Sequence, residues 1–105
     1  MRLSDLHIDA ERLADICGRY QVARLEAFGS FVSGDAAANS DLDILVTFVP
    51  HAAIGLEFVA LQQELAALVG RAVDLLTRES VERSPNKYFR RFALRRTQVL
   101  YERAA

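Results

Sequence analysis

Three short runs of strand-forming residues alternate along this chain with helical patterns, and this alternation leaves few possible folds. In the clearest run, Leu42–Val49, apolar side chains at every second position fall on one face, and Pro50 ends the strand. Val22–Phe28 and Ala72–Leu76 are also predicted to be strands. Because helices separate the strands, we expect an α/β (α+β) fold in which a small mixed β-sheet is flanked by helices.

The helices are indicated by apolar residues at helical spacing and by signals at their ends. Asp9 is a suitable N-cap for the first helix, and Gly70 lies where a left-handed C-cap is needed. Near the C-terminus, Val99–Tyr101 is either a short strand or a helix end. The predicted helical segments are Asp9–Tyr20, a short helix and loop over Phe31–Ala38, Gly55–Val69, and a last helix from about Pro85.

The length of 105 residues suits one domain, which we expect to cover residues 1–105. The net charge of −1 hides an uneven distribution along the chain. Residues 1–77 contain 11 acidic and 5 basic residues, whereas residues 78–105 contain 3 acidic and 8 basic residues. Such asymmetry can mark a site for an anionic partner.

Several classes of protein are excluded or disfavoured. A single cysteine, Cys17, excludes a scaffold of internal disulfides, and its place on the apolar stripe of the first helix predicts a core position. The longest uncharged run, Ile44–Leu56, is too short to span a bilayer. Without an apolar signal segment at the N-terminus, we expect a cytoplasmic protein with no membrane contact. His7 and His51 lack a second ligand at zinc-type spacing, so solvated histidines are expected.

Three aspartates are candidate metal ligands. Asp41 and Asp43 lie two residues apart on a predicted strand and therefore project to the same face. Their spacing suits two oxygen ligands on Mg²⁺, although two solvated acids are an alternative. Asp74 is the only charged residue in its apolar strand, and burial of an unpaired carboxylate is costly. We therefore expect Asp74 to have a cation nearby, with an arginine partner or an open face as alternatives.

A Gly29-Ser30 turn follows the first predicted strand and precedes a short helix. Glycine lets the backbone approach a ligand closely, and a helix N-terminus and a serine hydroxyl can both bind phosphate. Together with the carboxylates, this turn suits metal-assisted phosphoryl or nucleotidyl transfer. No Walker-type run is present, so the sequence does not support a P-loop enzyme.

The spacing of these motifs resembles the signature of the polymerase-beta-like nucleotidyltransferase superfamily: Gly29-Ser30, ten intervening residues, and then the run from Asp41 to Asp43. The resemblance covers roughly residues 10–101, and the short length is similar to that of its smallest branch, the minimal nucleotidyltransferases (MNT). It implies that Asp41 and Asp43 bind Mg²⁺. It also implies that Asp74 completes the triad and acts as, or orients, the base, and that Gly29 and Ser30 hold the phosphates of ATP.

Many proteins of the MNT branch are antitoxins encoded beside a HEPN-type ribonuclease toxin, and they are similar to enzymes that transfer AMP from ATP to a toxin tyrosine. The resemblance therefore implies a Mg²⁺-dependent protein adenylyltransferase that silences a toxin partner and forms a complex with it. Ser33 departs from this pattern, because the family often has an arginine there. That departure favours the alternative of a non-catalytic antitoxin or binding module that neutralises its partner by stoichiometric binding.

Basic residues dominate the predicted last helix. Lys87, Arg91 and Arg95 lie four residues apart on one face, and Arg90 and Arg96 flank them. This face is either a solvated surface or one that contacts nucleotide phosphates or an acidic partner. Direct nucleic-acid binding is not expected, because the glycine-aromatic pattern of an RNA recognition module is missing.

Overall fold

The computed structural model describes residues 1–104 and has the mixed α/β architecture that the sequence predicts. The strands are β1 (Val22–Phe28), β2 (Leu42–Phe48), β3 (Val73–Thr77) and β4 (Gln98–Glu102). The helices are α1 (Ala10–Arg19), α2 (Ser30–Ser33), α3 (Glu57–Val69), α4 (Arg78–Glu82) and α5 (Lys87–Leu94). None of the helices in the described part of the chain has the length and apolar character needed to cross a membrane.

The four strands form one sheet in the order β3-β2-β1-β4. β2 is parallel to β3 and antiparallel to β1, which is also antiparallel to β4. The crossover from β2 to β3 contains α3, as parallel neighbours require. In this register Asp43 lies opposite Asp74 on one side and Phe28 on the other. The topology therefore places two of the predicted site residues side by side.

Each face of the sheet packs against helices. One face, with α1 and α3, forms the larger core, which contains Leu25, Ile44, Leu75 and the buried Leu61 and Leu65 of α3. The opposite face forms a smaller cluster of Phe28, Leu45, Val81 of α4 and Ala93 of α5. Because side chains alternate along a strand, Asp43 and Asp74 lie on the face of the smaller cluster.

Three local predictions are confirmed. The Asp9 carboxylate accepts hydrogen bonds from the backbone N–H groups of Glu11 and Arg12 and so caps α1. Gly70 has φ 72° and ends α3 in the left-handed conformation. The Cys17 side chain is fully buried in the larger core.

The C-terminal third differs in detail from the sequence-based prediction. The sequence pattern did not predict α4, because this helix has five residues and buries only Val81, which leaves no periodicity to detect. The last helix begins at Lys87 rather than near Pro85, since the Asn86 side chain caps it. Val99–Tyr101 belongs to β4, which pairs with β1, so the strand alternative is correct.

Candidate functional site

The three predicted carboxylates lie near the edge of the sheet where β2 and β3 begin. Asp43 and Asp74 are register partners on these parallel strands, and Asp41 directly precedes β2. Asp41 and Asp74 are exposed, whereas Asp43 is half-buried between its neighbours. The Asp74 side chain is therefore not enclosed in the core, and its role as a cation ligand stays a prediction.

The turn after β1 passes directly over Asp43. Gly29 has φ 77° and ψ −147°, a conformation that side chains other than glycine rarely adopt. A Cβ atom placed on Gly29 would lie 2.5 Å from Oδ2 of Asp43. The backbone conformation therefore favours glycine, and a larger residue would also displace the Asp43 carboxylate from its place beside the turn.

The environment of Asp43 disfavours its negative charge. Burial raises the pKa of Asp43 to about 6, with further contributions from the negative charges of Asp74 and Asp41. Within residues 1–104, no lysine or arginine forms an ion pair with any of these three carboxylates. The cluster is therefore an uncompensated negative region that a bound cation would neutralise.

The donor set fits a magnesium ion better than a softer metal. Carboxylate oxygens are hard ligands, and Mg²⁺ is commonly held by one or two carboxylates together with substrate phosphates. Among residues 1–104, no group of three or more His, Cys, Asp or Glu side chains is arranged as a ready-made metal site. The exposed side chains of Asp41 and Asp74 are free of packing constraints that would stop them turning towards Asp43.

Ser30 is the first residue of α2, directly after Gly29. Its carbonyl oxygen accepts hydrogen bonds from the backbone N–H groups of Gly34, Asp35 and Ala36, which closes the turn tightly. The single proton of the Ser33 hydroxyl is shared between the same carbonyl, at 3.2 Å, and Oδ2 of Asp35, at 3.0 Å. Ser33 thus stabilises the loop and brings no positive charge to it.

Arg71 holds the loop that leads into Asp41. Its Nη1 donates to the carbonyl oxygens of Ala38 at 3.1 Å and Ser40 at 3.0 Å, and its guanidinium lies 4.8 Å from the ring centre of Phe31. It therefore ties the start of β3 to the loop before β2. No local pattern in the sequence indicates this positioning role, because the partners are more than 30 residues away.

A buried ion pair joins three elements beneath the site. Glu26 of β1 is 1% exposed, and both of its carboxylate oxygens accept from Nη1 of Arg78, at 2.8 and 2.9 Å. The Thr97 hydroxyl donates to the same carboxylate at 2.8 Å. Sequence analysis missed this network. The available signal was a pair of charged residues, Arg24 and Glu26, within an otherwise apolar strand.

Two clefts lie near these elements. A cleft of about 200 Å³ is lined by Gly29, Ser30 and Ser33 on one side and by Phe92, Arg95 and Arg96 on the other, with Val32 and Asp35 also lining it. A larger cleft of about 530 Å³ lies between the loop after β2 and α4, and none of the five predicted site residues lines it. Only the smaller cleft therefore involves the predicted phosphate-binding turn.

Comparison with known proteins gives three kinds of match. The family described as Nucleotidyltransferase domain matches residues 10–100. The protein adenylyltransferase MntA of Thermococcus cleftensis is 41% identical over 64 residues, which are 61% of this chain and 64% of that protein. The aligned part thus spans slightly less than two thirds of that relative.

Two solved structures resemble the fold. One, described as a minimal nucleotidyltransferase, has a TM-score of 0.61 and 30% identity and covers 90% of this chain and 97% of that chain. The other is a toxin-antitoxin crystal structure with AMP-PNP, with a TM-score of 0.66 and 20% identity, covering 91% of this chain and 75% of that chain. At that identity the second likeness concerns the fold alone.

Proposed function

Because this chain belongs to the Nucleotidyltransferase domain family, we propose that it acts as the antitoxin of a HEPN-type toxin. In this proposal it transfers AMP from ATP to the hydroxyl group of a tyrosine in that toxin. The observation that carries the proposal is the placement of Asp43 beside Asp74, directly under the Gly29 turn. This arrangement joins a cation-binding carboxylate pair to a backbone turn that suits phosphate.

The names of similar proteins support the choice of substrate and partner. The Thermococcus relative is a protein adenylyltransferase, and two structural neighbours are toxin-antitoxin complexes, one with AMP-PNP and one named MntA-HpeT. The match to that relative covers 64% of its length, so activity and partner are proposals for this chain.

In the proposed reaction, Asp41, Asp43 and Asp74 would hold Mg²⁺, which would neutralise negative charge at the phosphates. Gly29 and Ser30 hold the triphosphate through the turn. The acceptor hydroxyl oxygen forms a bond to the α-phosphorus of ATP, the bond to the bridging oxygen breaks, and pyrophosphate leaves. Asp74 is exposed and adjacent to Asp43, so its carboxylate can accept the hydroxyl proton.

One experiment separates this proposal from stoichiometric neutralisation. The full chain, Mg²⁺ and ATP labelled on the α-phosphate are incubated with the product of the adjacent gene, and label on that protein is measured. We expect transfer by the wild type and a loss of at least about a hundredfold in Asp43→Ala, because charge-neutralising groups in phosphoryl transfer have effects of this size. Asp15→Ala is the matched control, an exposed aspartate on α1 over the opposite face of the sheet.

Ser33 is the observation that favours the binding alternative, because it brings no cation to the turn. If the wild type transfers no label and still neutralises the partner, the enzymatic proposal is wrong. In that case Asp43→Ala should neutralise the partner as well as the wild type does.

A further inference from the structure

We propose that Arg95 and Arg96 bind the phosphate groups of the nucleotide and supply the positive charge that Ser33 does not. This inference rests on the proposed nucleotide-dependent function and adds two residues to its binding site. The observation that carries it is the cleft in which both arginines lie opposite Gly29 and Ser30.

The position of the two arginines is set by contacts on both sides of them. Before them, Phe92 packs edge-to-face on Phe28, the residue that precedes Gly29, with ring centres 6.4 Å apart. After them, the Thr97 hydroxyl donates to the buried Glu26 of β1. Both anchors lie on β1, so the intervening residues cannot move far from the end of that strand.

The charge balance of the cleft is positive. Arg95 and Arg96 line it together with a single carboxylate, that of Asp35. Asp35 accepts a hydrogen bond from the Ser33 hydroxyl. Within residues 1–104, neither arginine forms an ion pair or a side-chain hydrogen bond, and both are exposed. Two guanidinium groups that face a phosphate-type turn with no protein partner are suited to an anionic ligand.

Gly29 connects this cleft to the carboxylates. It lines the cleft, and a Cβ atom placed on it would meet the Asp43 carboxylate. A polyphosphate that crosses the Gly29-Ser30 turn would therefore contact cation-binding carboxylates at one end and arginines at the other. The three basic residues of α5, Lys87, Arg90 and Arg91, do not line this cleft.

Binding of AMP-PNP, AMP and adenosine to the full chain in Mg²⁺ buffer tests the proposal by calorimetry. We expect Arg95→Gln/Arg96→Gln to weaken AMP-PNP binding by about ten- to a hundredfold, since hydrogen bonds to charged groups are involved. The loss should decrease from AMP-PNP to AMP and disappear for adenosine. Lys87→Gln/Arg91→Gln, which removes the same charge from α5 just before the two arginines, should bind AMP-PNP within about twofold of the wild type.

A second variant distinguishes a phosphate contact from a general effect on folding. Ser33→Arg added to Arg95→Gln/Arg96→Gln places a guanidinium in the same cleft and should restore part of the AMP-PNP affinity. Unchanged affinity in Arg95→Gln/Arg96→Gln, or an equal loss in the Lys87/Arg91 control, would overturn the inference while AMP transfer by the wild type still upholds the proposed function. A wild type that binds no AMP-PNP would overturn both.

Discussion

Asp43 is held in surroundings that disfavour its charged form. Its carboxylate is half-buried, lies beside Asp74 and approaches the backbone of Gly29. Such an arrangement stores unfavourable energy in the folded chain unless a cation is bound. A site of this kind is expected to lower stability in exchange for function.

We expect Asp43→Asn to raise the free energy of unfolding in EDTA at pH 7.5 by about 1–3 kcal/mol. The pKa of Asp43 is raised from 3.8 to about 6 in the folded chain, so the wild type becomes less stable as the pH rises from 4 to 6. The advantage of the variant should therefore be present above pH 6 and vanish near pH 4. Urea unfolding at several pH values measures this difference.

Glu102→Gln is the control, because this exposed carboxylate lies on β4 opposite the start of β1, away from Asp43. It should change stability by less than about 0.5 kcal/mol at every pH. If Asp43→Asn is less stable than the wild type at pH 7.5, the negative charge of Asp43 does not destabilise the folded chain, and the prediction is wrong.

At the level of elements, the buried pair of Glu26 and Arg78 fixes how the ends of the chain attach to the sheet. Arg78 begins α4 directly after β3, and Thr97 directly precedes β4. Both bond to one carboxylate in the middle of β1. A single side chain therefore sets the relative positions of β1, α4 and the segment that leads into β4.

We expect Arg78→Met to lower the free energy of unfolding by about 3 kcal/mol, because it leaves the charge of Glu26 buried without its main partner. Glu26→Gln/Arg78→Met should recover most of that loss, since no buried carboxylate then lacks its main partner, and the side chain of Arg24, 3.7 Å from Glu26, is 41% exposed. The measurement is chemical denaturation of the full chain.

The matched control is Arg83→Met at the C-cap of α4. Arg83 pairs with Glu79 at 3.0 Å, but both side chains are exposed, so the change should cost less than about 0.5 kcal/mol. Equal effects at Arg78 and Arg83 would mean that the buried pair does not hold α4 in place.

Across the whole molecule, the fold brings together charges that are far apart in the sequence. The acidic part of the chain contributes Asp43 and Asp74, and the basic part contributes Arg95 and Arg96. Because α5 packs on the same face of the sheet as the carboxylates, the Gly29 turn lies between the two groups. Part of each charge excess is thus brought to one region of the molecule.

Cys17 offers a probe of the stability of the whole molecule. Its side chain is fully buried, and burial raises its pKa to about 12 from 9.0. We expect a thiol reagent at pH 8 to label it only through global unfolding, with a rate that rises steeply with urea. As the pH rises from 9 towards 12, the Cys17 thiol ionises in the unfolded chain before it does so in the folded chain. The free energy of unfolding should therefore decrease over this pH range.

The control for Cys17 is Ala67→Cys in a Cys17→Ala background. Ala67 is exposed on α3, so this thiol should be labelled in seconds without denaturant. Fast labelling of Cys17 itself, independent of urea, would show that the larger core opens locally.

The sequence alone determined the features that depend on local pattern. The alternation of apolar side chains over Leu42–Phe48 indicates β2, and Asp9 and Gly70 indicate helix ends. Gly29-Ser30 and its spacing to the aspartates indicate the family, which the match to residues 10–100 confirms. These features are readable because side-chain alternation and backbone conformation act over a few residues. The roles assigned to the five site residues stay predictions.

Only the tertiary structure decided which distant residues meet. Three features of the site join segments more than 30 residues apart. They are the register of Asp43 with Asp74, the hydrogen bonds of Arg71 to the loop before β2, and the cleft between Arg95 and Gly29. The buried charge of Glu26 likewise finds its partner 52 residues away. Strand order and packing create such pairs, and a single sequence carries no local signal for them, because many partners of the same chemistry are available along the chain.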